Sequence, residues 1–351
     1  MKLLRAIAPV LLTVLVVAAP IYGQDKSTAP PVTARELMES GDFERAIQKY
    51  TEIITQHPDS AGAYCRRATA SSLLGDVDGA MADYERALSI TPNHAEAYAG
   101  RGTLWLVLGK AREARRDLKR ALEIDPVNRD ALYNLGYLSF MAGSYREAVS
   151  YLDRTLQITP SDAQSQYMQA ASFYGLNDIE RALAAYSRTL ELDSTFAHAY
   201  RERGMIYFQD TDEPEKALAD FSKALEIDPE FVVAYITRGN FYSGREEHAL
   251  AIADYAEAVR LAPDDPAGYH NRGTEYLAMG KLNEAVTDLE KTVTLAPGYP
   301  NAHYSLAQAY AGLGRTEEAI IAYHTFIDLA PPELISLIQQ ARRELKALKG
   351  M

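Results

Sequence analysis

The sequence predicts an all-α protein built as a solenoid of helix pairs, and three observations carry that prediction. Proline recurs at positions 58, 92, 126 and 160, then at 229, 263, 297 and 331, with 34 residues between neighbours in each run. Alanine keeps step at 80, 114, 148, 182, 217, 251, 285 and 319, each twelve residues before its proline or before Ser194. A small residue stands twelve places before most of those alanines, at Ala68, Gly102, Gly136, Ala170, Gly239, Gly273 and Ala307. A fixed period of this size marks stacked supersecondary units.

Taken in chain order, the first 23 residues read MKLLRAIAPVLLTVLVVAAPIYG. Lys2 and Arg5 precede an apolar run from Ala6 to Ala19, the layout of a signal peptide. The run is short for a spanning helix, and Pro9 and Pro20 interrupt it. We expect an exported chain, periplasmic or extracellular. The alternative is that this segment stays uncleaved as an N-terminal anchor, the one route by which the chain would meet a membrane. Residues 24–32 (QDKSTAPPV) read as a polar linker.

The array is expected over residues 33–331, as nine units. Thr33 and Glu36 match a capping box ahead of a shortened first helix. Within a unit, residues such as Ala302, Leu306, Ala307 and Tyr310 recur at helical spacing. Gly314 ends that helix, because glycine takes the left-handed cap without a Cβ penalty. A second helix follows with Ala319, Ile320, Tyr323 and Ile327, and Pro331 stops it. The 34-residue register slips once. Pro160 and Pro229 lie 69 residues apart, and Gly204 precedes Ala217 by thirteen. The extra residue therefore falls in QDTDEPEKA, a turn between helices, where an insertion costs little. Residues 332–351 are expected to form a capping helix with Leu334, Leu337, Ile338, Ala341, Leu345 and Leu348 as its apolar stripe.

The pattern resembles the tetratricopeptide repeat family. Its markers run in order through Tyr98, Gly102, Trp105, Gly109, Ala114, Leu118, Ala121 and Pro126, and again through Tyr269, Gly273, Tyr276, Gly280, Ala285, Leu289 and Pro297. The resemblance implies antiparallel helix pairs stacked into a right-handed superhelical solenoid, with a concave groove lined by the first helix of each unit. It also implies inward positions one, five and eight residues after the tyrosine marker. These hold Tyr133, Tyr137 and Phe140 in the fourth unit, Tyr167, Ala171 and Tyr174 in the fifth, and Arg201, Met205 and Phe208 in the sixth. Elsewhere they hold small or polar residues such as Thr69, Ser72, Asn240, Ser243, Gln308 and Ala311. Aromatic clusters in a concave surface suit peptide anchoring, with Met and Arg as adaptable neighbours. The competing reading is that these rings pack on one another. Two family variants find no support. A basic clamp for carboxylates would match only Arg201, and an inward asparagine ladder would match only Asn134 and Asn271.

Chemistry is otherwise sparse. No phosphate loop, G-x-S-x-G, HExxH or CxxC occurs, so we expect no enzyme, no cofactor and no metal. Seven histidines fall at different repeat positions, and His198, His270 and His303 belong to three different units. The single cysteine, Cys65, reads as a small buried residue rather than as an interchain disulfide partner. A net charge of −12 argues against nucleic acid or anionic lipid as the main partner. Arg67, Arg101, Arg203, Arg238 and Arg272 precede the small-residue marker, while Asp83, Asp117, Asp220, Asp254 and Asp288 follow the alanine marker by three. They read either as a basic ladder for acidic tails or, the reading we favour, as ion pairs. The expected function is a non-enzymatic scaffold that binds a protein or extended peptide in its groove. The alternative is a structural or self-associating repeat protein with the groove unused.

Overall fold

The structure, a computed structural model, describes residues 33–350. The signal segment and the linker expected from the sequence lie outside the described residues. Among the described residues there are nineteen α-helices and no strands. Eighteen form nine consecutive pairs: α1 (Ala34–Glu39) with α2 (Phe43–Gln56), α3 (Ala61–Leu73) with α4 (Val77–Ile90), α5 (Ala95–Val107) with α6 (Ala111–Ile124), α7 (Arg129–Met141) with α8 (Tyr145–Ile158), α9 (Ala163–Gly175) with α10 (Ile179–Leu192), α11 (Ala197–Gln209) with α12 (Pro214–Ile227), α13 (Val232–Gly244) with α14 (His248–Leu261), α15 (Pro266–Ala278) with α16 (Leu282–Leu295), and α17 (Pro300–Gly312) with α18 (Thr316–Leu329). A final helix, α19 (Ile335–Lys349), follows a short 3-10 turn. Among the described residues no helix is long and apolar enough to cross a membrane.

Local sequence explains many of the boundaries. The N-cap side chains of Asp42, Ser60, Asp76 and Asn128 each accept a backbone N–H from three residues on, which satisfies a donor the helix cannot. Thr33 and Glu36 form both halves of the capping box. Every second helix ends two residues before the proline marker, because the residue preceding proline is pushed out of the α region. Helix α10 ends two residues before Ser194 in the same way, so proline reinforces this stop but is not required for it. Between the helices of a pair, Gly75, Gly109, Gly143, Gly280 and Gly314 take positive φ. Asn177 and Glu246 occupy the same register position with φ of 59° and 61°. The insertion sits where the spacing puts it. The turn from α11 to α12 holds residues 210–213, with Asp212 at φ 53°, whereas the turn from α13 to α14 holds residues 245–247.

The repeat markers are the close contacts. All nine alanines of the register, from Ala46 to Ala319, are fully buried. Opposite them the backbone approaches so closely that a Cβ on Gly102 would stand 2.8 Å from Leu118 Cγ, and one on Gly136 would stand 2.9 Å from Leu152 Cγ. Side chains this small let paired helices touch, and neighbouring pairs then bury the faces that one pair leaves open.

The described chain divides into two compact units, one ending at Leu192 and the other beginning at Asp193. The first contains α1–α10, with core clusters around Tyr50, Tyr84 and Leu118. The second contains α11–α19, with clusters around Leu225, Phe221 and Tyr323. Helix α19 packs on α18 and buries Ile338, Ala341 and Leu345, with Leu334, Leu337 and Leu348 at the edge of the same cluster. It closes the last repeat as the sequence predicts.

Candidate functional site

Within each unit the first helices of successive repeats touch: α3 with α5, α5 with α7 and α7 with α9 in the first unit, and α11 with α13, α13 with α15 and α15 with α17 in the second. Each unit therefore presents one face built from first helices, the face on which the sequence places its candidate residues.

In the first unit, α7 carries Tyr133, Tyr137 and Phe140, and α9 carries Tyr167 and Tyr174. Tyr133 and Tyr174 are half-buried. The Tyr133 phenol is shut from water beside Gln164, and burial holds its pKa above the ordinary tyrosine value. Tyr137 is 9% exposed, and burial raises its pKa too. Phe140, at 2% exposure, packs its ring 5.7 Å from that of Tyr145. Tyr167 sets its ring edge-on to Tyr186 at 5.6 Å. Tyr133 and Tyr174 keep some exposed surface, while Tyr137, Phe140 and Tyr167 fill space between helices.

In the second unit, Arg201 is buried, pairs with Glu202 beside it, and lies over the Phe231 ring. Burial raises the Glu202 pKa, against the Arg201 charge that lowers it. Met205 and Phe208 are half-buried against Phe221 and Phe241, with the Phe208 and Phe241 rings edge to face at 5.1 Å.

The arginine ladder is a set of ion pairs. Arg67 to Asp83, Arg101 to Asp117, Arg203 to Asp220, Arg238 to Asp254 and Arg272 to Asp288 each bond through Nε and Nη2 to both carboxylate oxygens, at 2.7–3.2 Å. Each pair joins the first helix of a repeat to its own second helix, so these guanidiniums are not free to grip acidic tails.

The histidines named from the sequence have separate surroundings. His198 rests on the Phe231 ring, His270 on the Tyr299 ring, and His303 Nε2 lies 2.9 Å from the Pro297 carbonyl. Among the described residues, ligand atoms of Cys65, His94 and Glu96 lie within 4.8 Å of one another. His94 Nδ1 already accepts the Ala97 N–H as the cap of α5, so a metal at either ring nitrogen would disturb that cap. Burial pushes the Cys65 thiol up to about 12.

The tetratricopeptide repeat family model matches residues 32–95, 100–163 and 167–232, more than half of the chain. The chain belongs to the tetratricopeptide repeat family. Further tetratricopeptide repeat matches fall at residues 232–265 and 300–333, and a TPR repeat match at residues 273–314. No curated protein sequence matches this one. Among solved structures, the APC/C hetero-tetramer Cut9-Hcn1 is similar at 17% identity and a TM-score of 0.55, the match covering 85% of this chain and 59% of that one. A tetratricopeptide repeat protein from Parabacteroides merdae is similar at 22% identity and a TM-score of 0.54, covering 73% of this chain and 98% of that one. PilW, a type IV pilus biogenesis factor, is similar at 17% identity and a TM-score of 0.53, covering 60% and 98%. These likenesses concern the fold.

This tetratricopeptide array also holds two polar arrangements that sequence reasoning missed. Glu275 is buried where other repeats place Leu104, Leu138 or Phe241, and it accepts Ser243 Oγ at 2.6 Å with His248 Nδ1 at 2.6 Å. A second group surrounds Glu344 on α19, which sits between the exposed Arg343 and Lys346. The sequence signal for Glu275 was a carboxylate at a register position that other repeats fill with Leu or Phe; Glu344, on a helix outside the repeats, gave no such signal.

Proposed function

We propose that this protein is a non-enzymatic scaffold that binds a protein or an extended peptide along the face built from its first helices. One observation carries the reading: Tyr133 on α7 and Tyr174 on α9, two helices in contact, are large amphipathic side chains only partly buried, at register positions that the repeat resemblance implies face inward. Such rings supply contact area with little side-chain entropy to lose, and they are common anchors of binding energy. The tetratricopeptide architecture is itself an interaction scaffold, and it occupies the described chain from Thr33 to the capping helix. The layout of the first 23 residues supports export as the setting of this activity.

The test is selection of a random peptide library on the purified protein, followed by affinity measurement on Tyr133→Ala/Tyr174→Ala. Peptides that bind the natural protein and lose about tenfold or more on the variant, at unchanged helicity, support the reading. Equal affinity on both proteins refutes this placement.

A further inference from the structure

Where the last repeat meets α19, a pocket of about 300 Å³ is lined by Gln308 and Ala311 of α17, Tyr323 of α18, and Glu344, Ala347 and Leu348 of α19. It lies wholly in the second unit and does not depend on Tyr133 or Tyr174. Its origin is a break in the repeat pattern. In two earlier repeats, a tyrosine at the register of Tyr323 has a partner on its own first helix: Tyr84 Oη lies 3.1 Å from Thr69 Oγ1, and Tyr255 Oη donates to Asn240 Oδ1 at 2.8 Å. Gln308 holds that partner position in the last repeat, but its Nε2 donates to Tyr304 Oη at 3.3 Å. Tyr323 instead hydrogen-bonds Glu344, and both line the pocket.

Glu344 is itself incompletely satisfied. Its Oε1 accepts Gln340 Nε2 at 3.0 Å and, more weakly, Tyr304 Oη at 3.5 Å. Its Oε2 is shut from water and accepts no hydrogen bond, and no ion pair neutralises the carboxylate among the described residues. Burial pushes the Tyr304 phenol up to about 12 and raises that of Tyr323, and in both the Glu344 carboxylate adds to this through a hydrogen bond and its charge. Arg342, Arg343 and Lys346 of the same helix are exposed. A carboxylate oxygen withdrawn from water without a donor is costly, and a ligand that brings a donor to it removes that cost.

We infer that this pocket binds a primary ammonium on a short alkyl stem, as found in a lysine side chain or a free aliphatic diamine. The stem lies against Ala311, Ala347, Leu348 and the Tyr323 ring, and the ammonium pairs with the Glu344 carboxylate where it lines the pocket. A guanidinium fork suits the site poorly, because the second carboxylate oxygen is already engaged by Gln340, whereas an ammonium is a compact donor that can serve one oxygen.

The test uses saturation-transfer NMR on the full chain with Nα-acetyl-lysine methylamide, cadaverine and the uncharged Nα-acetyl-norleucine methylamide. The expected result is saturable binding of at least one ammonium, about tenfold or more weaker on Glu344→Gln, with little binding of the norleucine probe. Ala311→Leu, which fills the pocket and keeps the carboxylate, should weaken binding equally, and thermal melts confirm that each variant folds. Preference for the capped lysine assigns a peptide side chain, and preference for cadaverine assigns a free diamine. No saturable binding of either ammonium to the natural protein overturns the inference. So does equal binding by the norleucine probe, or full binding by folded Ala311→Leu.

Discussion

Arg101 of α5 bonds through Nε and Nη2 to both oxygens of Asp117 on α6, at 2.7 and 3.2 Å, and Trp105 Nε1 donates to the same carboxylate at 3.2 Å. Asp117 is only 2% exposed. The pair holds the two helices of a repeat in register, and four other repeats contain its equivalent. The fourth and ninth repeats place Leu135 with Tyr151 and Leu306 with Ala322 at the same positions, so an apolar pair is an accepted substitute. Asp117→Ala alone should destabilise by about 2–4 kcal/mol, because it strands a guanidinium and an indole N–H. Arg101→Leu/Asp117→Ala should recover much of that loss. Urea unfolding of the three proteins checks this, and a double variant as unstable as Asp117→Ala would contradict it.

Glu246 takes φ 61° in the turn where Gly75, Gly109, Gly143, Gly280 and Gly314 take φ of 70–82°. A side chain with a Cβ is disfavoured there, and Glu246 is exposed, so its replacement sacrifices no packing. Glu246→Gly should stabilise the protein by about 0.5–1 kcal/mol, the relief of strain exceeding the added freedom of the unfolded chain. Thermal or urea unfolding measures it.

His270 rests on Tyr299, and its Nδ1 is buried without a partner; burial lowers its pKa to about 4. Unfolding restores a value near the ordinary 6.5, so between these values the unfolded chain binds more protons than the folded one. Stability should therefore fall as pH drops from about 6.5 towards 4, with up to about 3 kcal/mol from this residue. His270→Phe should flatten that part of the profile while leaving stability at pH 8 nearly unchanged. Urea midpoints across pH 4–8 provide the comparison.

Cys65 is 3% exposed, and burial pushes its thiol up to about 12. Thiolate, not thiol, is the reactive form. A thiol reagent at pH 8 should modify the native protein slowly and the urea-unfolded protein at once. Rapid native labelling would contradict this burial.

Much of this architecture was legible in the sequence, because solenoid contacts are local and repeat at a fixed period. Pro126, Ala114 and Gly102 fixed where α6 ends, where it meets α5 and how closely, and the insertion showed as a one-residue slip before Ala217. The arginine and aspartate markers were readable as partners because one helix hairpin brings their positions together. The candidate face was harder to read. Register gives the side of a helix, but whether a ring there is open depends on its neighbours' sizes. Tyr145 covers Phe140 and Tyr186 takes Tyr167, while Tyr133 and Tyr174 remain half-open. The pocket at Glu344 was illegible for a different reason. It arises where α19, which follows no repeat register, replaces the first helix of a next unit.

The central claim is that first helices, not second helices, receive the partner. Hydrogen exchange of the protein with and without a library-selected peptide tests it most directly. The account predicts added protection in α7 and α9, with the second helices α6 and α8 unchanged. Protection confined to second helices, or to the ends of the array, would contradict it.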